Sequence, residues 1–215
     1  MGEIFNYFKS ICRHRHYVSH YCFMCHEYKR GIFHDISRFS PTEFTEMAAY
    51  YDGKHYTVDM ARKHNGYSVA WLHHKGRNDH HYQYWIDNFG EGGRAIRMPY
   101  HQTVEMLCDY LGEGRLHDGK MFTYARELKF WEDKTDPDND MLIHEDTQKF
   151  MDIVIQSLAD LETKYQKYAG KKIMMSDGWT KKSILNERIL KRLYDAITEH
   201  NEDKIENIRF IMTSV

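Results

Sequence analysis

His34-Asp35-Ile36-Ser37-Arg38-Phe39-Ser40-Pro41-Thr42-Glu43-Phe44 joins the clearest helix start in the chain to its most suggestive ligand chemistry. Ser40 has the side chain of an N-cap, Pro41 occupies the first helical position, and Glu43 stands where it closes a capping box, so a helix starts at Pro41. Just upstream, an imidazole and a carboxylate are adjacent at His34-Asp35, with a guanidinium three residues beyond at Arg38. Eleven of the fifteen histidines fall between His14 and His81. Imidazoles and carboxylates gathered in one segment are the material of a metal site.

Working outward, apolar residues recur at helical rather than alternating spacing, and only three prolines interrupt 215 residues. The expectation is an all-α protein. A first helix runs from about Ile4 to Tyr28 and is broken at Gly31. The helix from Pro41 carries Phe44, Met47 and Ala48 on one face and ends near Asp52-Gly53. Another spans Thr57 to His74, followed by a turn over Lys75 to Asp79; His80 to Trp85 is too short to classify. Pro99 opens a helix ended by Gly112, and later helices cover Met121 to Trp131, Glu145 to Tyr168, Lys181 to His200 and Ile205 to Met212. Residues 1–165 read as one helical domain and 166–215 as a C-terminal helical extension, entered through Gly170 and Ser176-Asp177-Gly178. No internal repeat is visible.

Thirty basic against thirty-two acidic side chains provide no bulk attraction for nucleic acid or anionic lipid. The pairs Lys171-Lys172 and Lys181-Lys182 read as solvated faces. No run approaches the ~18 apolar residues of a membrane span. Met1 to Phe5 lacks the basic start and apolar core of a signal peptide, and Asn6 stands where myristoylation wants Ser or Thr. A cytoplasmic location follows as the expectation. Cys12, Cys22, Cys25 and Cys108 suit reduced thiols. Cys22-Phe23-Met24-Cys25-His26 has the spacing of covalent haem attachment, but that chemistry needs export; a zinc knuckle lacks its second Cys/His pair, which leaves two buried thiols beside a surface histidine. Gly90-Glu91-Gly92-Gly93 reads as a surface loop rather than a phosphate cradle. Asp133 to Asp140 lacks the glycine and terminal glutamate of a calcium loop.

Laid out in order, His14, His34-Asp35 and Asp109 resemble the HD superfamily of metal-dependent phosphohydrolases, in which a histidine, an adjacent His-Asp pair and a distant aspartate converge on one metal. The stretches His34 to Phe44, Trp71-Leu72-His73-His74 with Asn78, His80 to Trp85, and Met98-Pro99 with Glu105-Met106 and Cys108-Asp109 are more closely similar to an uncharacterised domain-of-unknown-function family of small bacterial and phage proteins. The superfamily resemblance implies an HD-like helical bundle with His14, His34, Asp35 and Asp109 as metal ligands. His16 and His20 share the helix of His14, and spacing alone favours His14. The family's Lys after His-Asp is Arg38 here, which retains a charge for phosphate. Because adjacent helical residues point about 100° apart, His34 and Asp35 can share a metal only near a helix end.

Two-metal members of the superfamily recruit extra histidines in this interval, which implies His74 and His81 for a second ion. A mixed N and O ligand set suits Mn, Fe, Co, Ni or Zn, as one or two ions. The implied activity is hydrolysis of a nucleotide or other small phosphoester by metal-activated water, with Asp35 as ligand and proton acceptor and Arg38 neutralising the oxyanion. Arg38, His73, Lys75, Arg77, Asn78, His80 and Gln83 are the candidate substrate contacts; Tyr82, Tyr84 and Trp85 could stack a base, although at helical spacing they also read as core. An HD-fold di-iron oxygenase and a non-catalytic helical binding module with a structural metal are the alternatives. The partner expected is the small phosphoester, with no membrane or nucleic acid, and the C-terminal helices are where copies of the chain could associate.

Overall fold

A computed structural model describes residues 2–88, 92–169 and 184–214, and these form an all-α fold. In chain order the helices are α1 (Gly2–Met24), α2 (Tyr28–Phe33), α3 (Pro41–Ala49), α4 (Thr57–Asn65), α5 (Val69–Lys75), α6 (Tyr100–Asp118), α7 (Tyr124–Thr135), α8 (Glu145–Ala169), α9 (Glu187–Thr198) and α10 (Glu202–Thr213), with short 3-10 turns at Ile36–Phe39, Tyr82–Trp85 and Gly119–Met121. One small antiparallel pair, β1 (Ile86–Asp87) with β2 (Arg94–Ala95), flanks the glycine-rich loop, of which Gly90 and Glu91 lie outside the described residues.

Along α1, Tyr7, Ile11, His14, Val18 and Tyr21, and Cys25 just past its end, are all buried at alternating steps of three and four. This is one face of a helix, with an imidazole in an otherwise apolar stripe. The stripe bridges two cores. Tyr7 and Ile11 pack with Met47, Ala48 and Ala70 of α3 and α5. Val18, Tyr21 and Cys25 join the larger core of α6, α8, α9 and α10, which includes Leu107, Phe150, Leu158, Leu193 and Ile208. The C-terminal helices thus share the main core. His14 sits where the two cores meet.

Glycines explain most departures from the expected helix boundaries. Gly112 does not end α6, which runs on to Asp118. A Cβ there would lie 2.5 Å from Val18 Cγ2 and 2.9 Å from the Val18 nitrogen, so Gly112 is the crossing point of α1 and α6. Gly31 likewise lies inside α2, where a Cβ would come within 2.8 Å of Cys22 Cβ; the break falls instead between α1 and α2, where His26 takes a φ of 64°. Gly66, with φ of 82°, splits the expected Thr57 to His74 helix into α4 and α5. α7 starts later and ends later than expected, with Thr123 as its N-cap, and α10 starts earlier, capped by Asn201. The first residues of the expected Lys181 to His200 helix lie outside the described residues.

Candidate metal centre

His34 is the C-cap of α2, with extended backbone, and Asp35 follows in the left-handed region at φ 53° and ψ 26°. Aspartate is among the few residues that tolerate this conformation. The reversal frees the pair from helical geometry. His34 Nε2 and Asp35 Oδ2 end 3.7 Å apart, and both meet His14 Nε2, at 3.3 Å and 3.5 Å. Asp109, from the middle of α6, places Oδ1 3.2 Å from His14 Nε2 and 3.4 Å from His34 Nε2.

The other oxygen of Asp35 faces a second group. Oδ1 lies 3.3 Å from Nε2 of His74 on α5 and 3.4 Å from Nε2 of His80. The ring of His81 lies tilted beside both, its centroid 4.8 Å from that of His74 and 4.2 Å from that of His80. The potential ligand atoms of Asp35, His74, His80 and His81 all lie within 4.8 Å of one another, as do those of His14, His34 and Asp35, and those of His34, His80 and Asp109. Asp35 therefore stands between two ligand groups, one oxygen to each.

Two buried glutamates hold the rings. Glu43 Oε2 meets His74 Nδ1 at 2.7 Å and Oε1 meets His73 Nδ1 at 2.6 Å. Glu105 Oε1 meets His34 Nδ1 at 2.9 Å and lies 3.3 Å from His80 Nδ1, while Arg30 braces its other oxygen. An ionised carboxylate can only accept, so each bonded Nδ1 carries a proton, and the Nε2 atoms of His34 and His74 are left facing the centre. Ser40 still caps α3 through Glu43 N at 3.4 Å, but the Glu43 carboxylate serves the histidines and does not close the capping box.

The electrostatics agree with a cation-binding set. Burial disfavours ionisation of Asp35, yet His34, Arg38 and His74 outweigh it and hold the carboxyl well below its ordinary range. Asp109 is held well below it too, its burial overcome by His14 and His34. Burial would also depress His34, but Asp35, Asp109 and Glu105 push it up to about 10. Burial lowers His74 and, with His80 and His74 beside it, lowers His81 further. Asp35 Oδ1 and Nε2 of His74, His80 and His81 are buried without any hydrogen-bond partner. An unpaired buried polar atom costs ~1–3 kcal/mol. Four aimed at one point fit a divalent cation, which would take those lone pairs. No cysteine joins these groups among the described residues.

The centre opens into a cleft of about 1510 Å³ lined by His14, Arg38, His81, Gln83 and Asp109 and walled by α4, the loop before it, and α7. Arg38 donates Nε–H to Asp35 Oδ2 at 2.5 Å while its side chain borders the cleft. His73, Lys75, Arg77 and Asn78 do not line it; Arg77 is exposed, and Asn78 donates to Ser37 Oγ at 2.8 Å and to the His74 carbonyl at 2.8 Å. His80, taken from sequence as a substrate contact, is 2% exposed inside the ligand cluster. Of the aromatic residues, Tyr82 borders the cleft, Trp85 packs on the main core and donates Nε1–H to the Asp79 carbonyl, and Tyr84 is exposed. His16 is exposed, and His20 belongs to none of the three ligand groups. Cys22 and Cys25 are buried beside an exposed His26.

Sequence reasoning overlooked Glu43 and Glu105. The available signal for Glu105 was its place four residues before Asp109 on one helix, which sets both on the same face. No helix among the described residues is long and apolar enough to cross a membrane. Residues 3–157 match the family model described as a family of unknown function, DUF5662. No curated protein and no solved structure matches the chain.

Proposed function

The chain belongs to this family of unknown function, and from the geometry of its buried centre we propose that it is a metal-dependent hydrolase of small phosphoesters, a nucleotide being the form expected. One observation carries the reading: Asp35 stands between two histidine groups, the inward nitrogens of His74, His80 and His81 have no hydrogen-bond partner, and His14, His81 and Asp109 open the groups onto a cleft. His14, His34, Asp35 and Asp109 would hold one divalent ion; Asp35, His74, His80 and His81 would hold a second. Such ions supply Lewis acidity to a phosphoryl oxygen and acidify water toward neutrality.

The chain's own residues supply the rest. Glu43 and Glu105 fix ring orientation and keep Nδ1 protonated, so the inward nitrogens stay available. Arg38 neutralises Asp35 and, bordering the cleft, offers its remaining N–H groups to a phosphoryl oxygen. Asp35, expected from sequence to accept the proton, is 1% exposed with both oxygens turned to the ligand groups, so Asp109, which lines the cleft, would take a proton from attacking water in its place.

Assay of the Mn-, Co-, Ni- or Fe-loaded chain against mononucleotides, cyclic nucleotides and phosphate monoesters tests this. Metal-dependent hydrolysis, read as phosphate release from a monoester or ring opening of a cyclic nucleotide, that disappears in Asp35→Ala is expected; no hydrolysis of any compound contradicts it. The histidine-rich pair of ligand groups also favours a second reading, a di-iron oxygenase, which predicts two retained irons per chain and oxygen uptake in place of phosphate release.

A further inference from the structure

Of the four arginines that line the cleft, Arg13 is exposed and the other three are already paired. Arg38 is bonded to Asp35, Arg126 to Asp118 at 2.7 Å, and Arg62 to Asp59 at 3.5 Å. Lys134 differs. Its half-buried side chain borders the same cleft, its ammonium lies 4.9 Å from the Tyr110 ring centroid and 5.8 Å from that of Phe130, and no carboxylate among the described residues lies within ion-pairing distance. Burial depresses its pKa, outweighing the more distant fields of Asp109, Glu127, Asp59 and Glu113, which raise it. Ring faces hold an ammonium while leaving its N–H donors free.

Glu127 stands seven residues earlier on α7, so it projects from the same helix face as Lys134, with Phe130 between them. It is 4% exposed, it lines the cleft, and its Oε1 has no hydrogen-bond partner. Burial, with Glu113 and Asp118 nearby, raises its pKa to about 8, so the carboxyl is largely neutral at pH 7 and can donate a hydrogen bond. An ammonium without an ion pair and a carboxyl with one unpartnered oxygen thus share one wall of the cleft. Tyr110, which carries the ammonium on its ring, directly follows Asp109, so this wall adjoins the metal centre.

We propose that Lys134 and Glu127 bind a second anionic group of the substrate, a phosphate or carboxylate on the portion that does not react at the metal centre. This rests on the phosphoester reading and narrows it to substrates carrying two anions. A substrate with one phosphate would leave Lys134 unmatched in the cleft. One with a second anion replaces water at a half-buried ammonium by a charge-assisted hydrogen bond, an exchange that commonly changes affinity about 10- to 100-fold.

Calorimetry on the full Mn-loaded chain tests the proposal with ligands that have no ester bond to cleave: methylphosphonate, a series of alkane-α,ω-bisphosphonates, and the matching ω-carboxyalkylphosphonates. The wild type should bind at least one two-anion ligand tenfold or more tightly than methylphosphonate, and whether that ligand is a bisphosphonate or a carboxyalkylphosphonate identifies the second group. Lys134→Met should erase that advantage without moving methylphosphonate affinity, and Lys134→Arg should keep most of it. Lys134→Gln carries the same comparison should the Met variant not fold. Equal binding of one-anion and two-anion ligands, or an advantage that survives loss of the ammonium, overturns the proposal. His34→Ala separates the two readings: methylphosphonate binding unchanged by His34→Ala counts against the metal-centre reading, whereas methylphosphonate binding that depends on His34, with no Lys134-dependent advantage for any two-anion ligand in the wild type, counts against this one alone.

Discussion

His74 Nε2 lies 3.3 Å from Asp35 Oδ1, both buried, and neither atom has a hydrogen-bond partner. A neutral imidazole nitrogen and a carboxylate oxygen facing each other without a proton between them repel through their lone pairs. A cation between them turns the repulsion into two bonds. Asp35 meets His14 through its other oxygen, so the same side chain ties both ligand groups together.

The carboxylates behind the rings should control metal affinity without touching the metal. Glu43→Gln and Glu105→Gln retain shape, but an amide can present a donor to Nδ1, which removes the reason for Nε2 to face inward unprotonated. Each should weaken metal binding about 10- to 100-fold. Competition with a chromophoric chelator measures this, and unchanged affinity in both variants would refute the assigned role.

The metal-stripped protein should lose stability as pH rises. His34 is raised in the fold from its ordinary 6.5 to about 10. The folded chain therefore binds this proton more tightly than the unfolded one; the stabilisation is full below pH 6.5 and is lost as pH climbs to about 10. Bound metal takes the place of the proton, so affinity should rise across the same window. Urea titrations with and without metal at pH 6, 8 and 10 check both signs, and a metal-free protein that gains stability over this range would contradict them.

Glu127 gives the opposite lesson, a carboxyl raised from 4.5 to about 8 that favours the unfolded state wherever the unfolded chain is ionised. The penalty is absent below pH 4.5, grows to pH 8 and then levels off. Glu127→Gln should thus stabilise the protein by about 1–3 kcal/mol at pH 7, with less gain at pH 5. A thermal-melting series over pH would show the trend.

Gly112→Ala should destabilise the fold despite alanine's better helix propensity. Its Cβ would fall 2.9 Å from the Val18 backbone nitrogen, which cannot yield without separating α1 from α6 and, with them, His14 from Asp109. Overpacking of this kind costs about 1–3 kcal/mol against a propensity gain of about 1. Metal affinity should fall together with the melting temperature.

How far the sequence was legible follows from which signals are local. Ser40-Pro41 marked the start of α3 because capping is decided within one turn, and His14 could have been distinguished from His16 and His20 by its place in the Tyr7, Ile11, Val18, Tyr21 stripe. Gly31 and Gly112 were misread as terminators because a glycine that admits a neighbouring helix looks the same in sequence as one that ends its own. Glu43 satisfied the capping-box pattern, which concealed its bonds to His73 and His74. Lys134 and Glu127 gave no local sign, since α7 becomes a cleft wall only once it packs beside α6.

Elemental analysis of the purified chain tests the central claim most directly. Two equivalents of a divalent transition metal per chain are expected, about one after His74→Ala and none after Asp35→Ala with the fold retained by circular dichroism. A folded wild-type protein that holds no metal after incubation with Mn, Fe, Co, Ni and Zn would contradict the account.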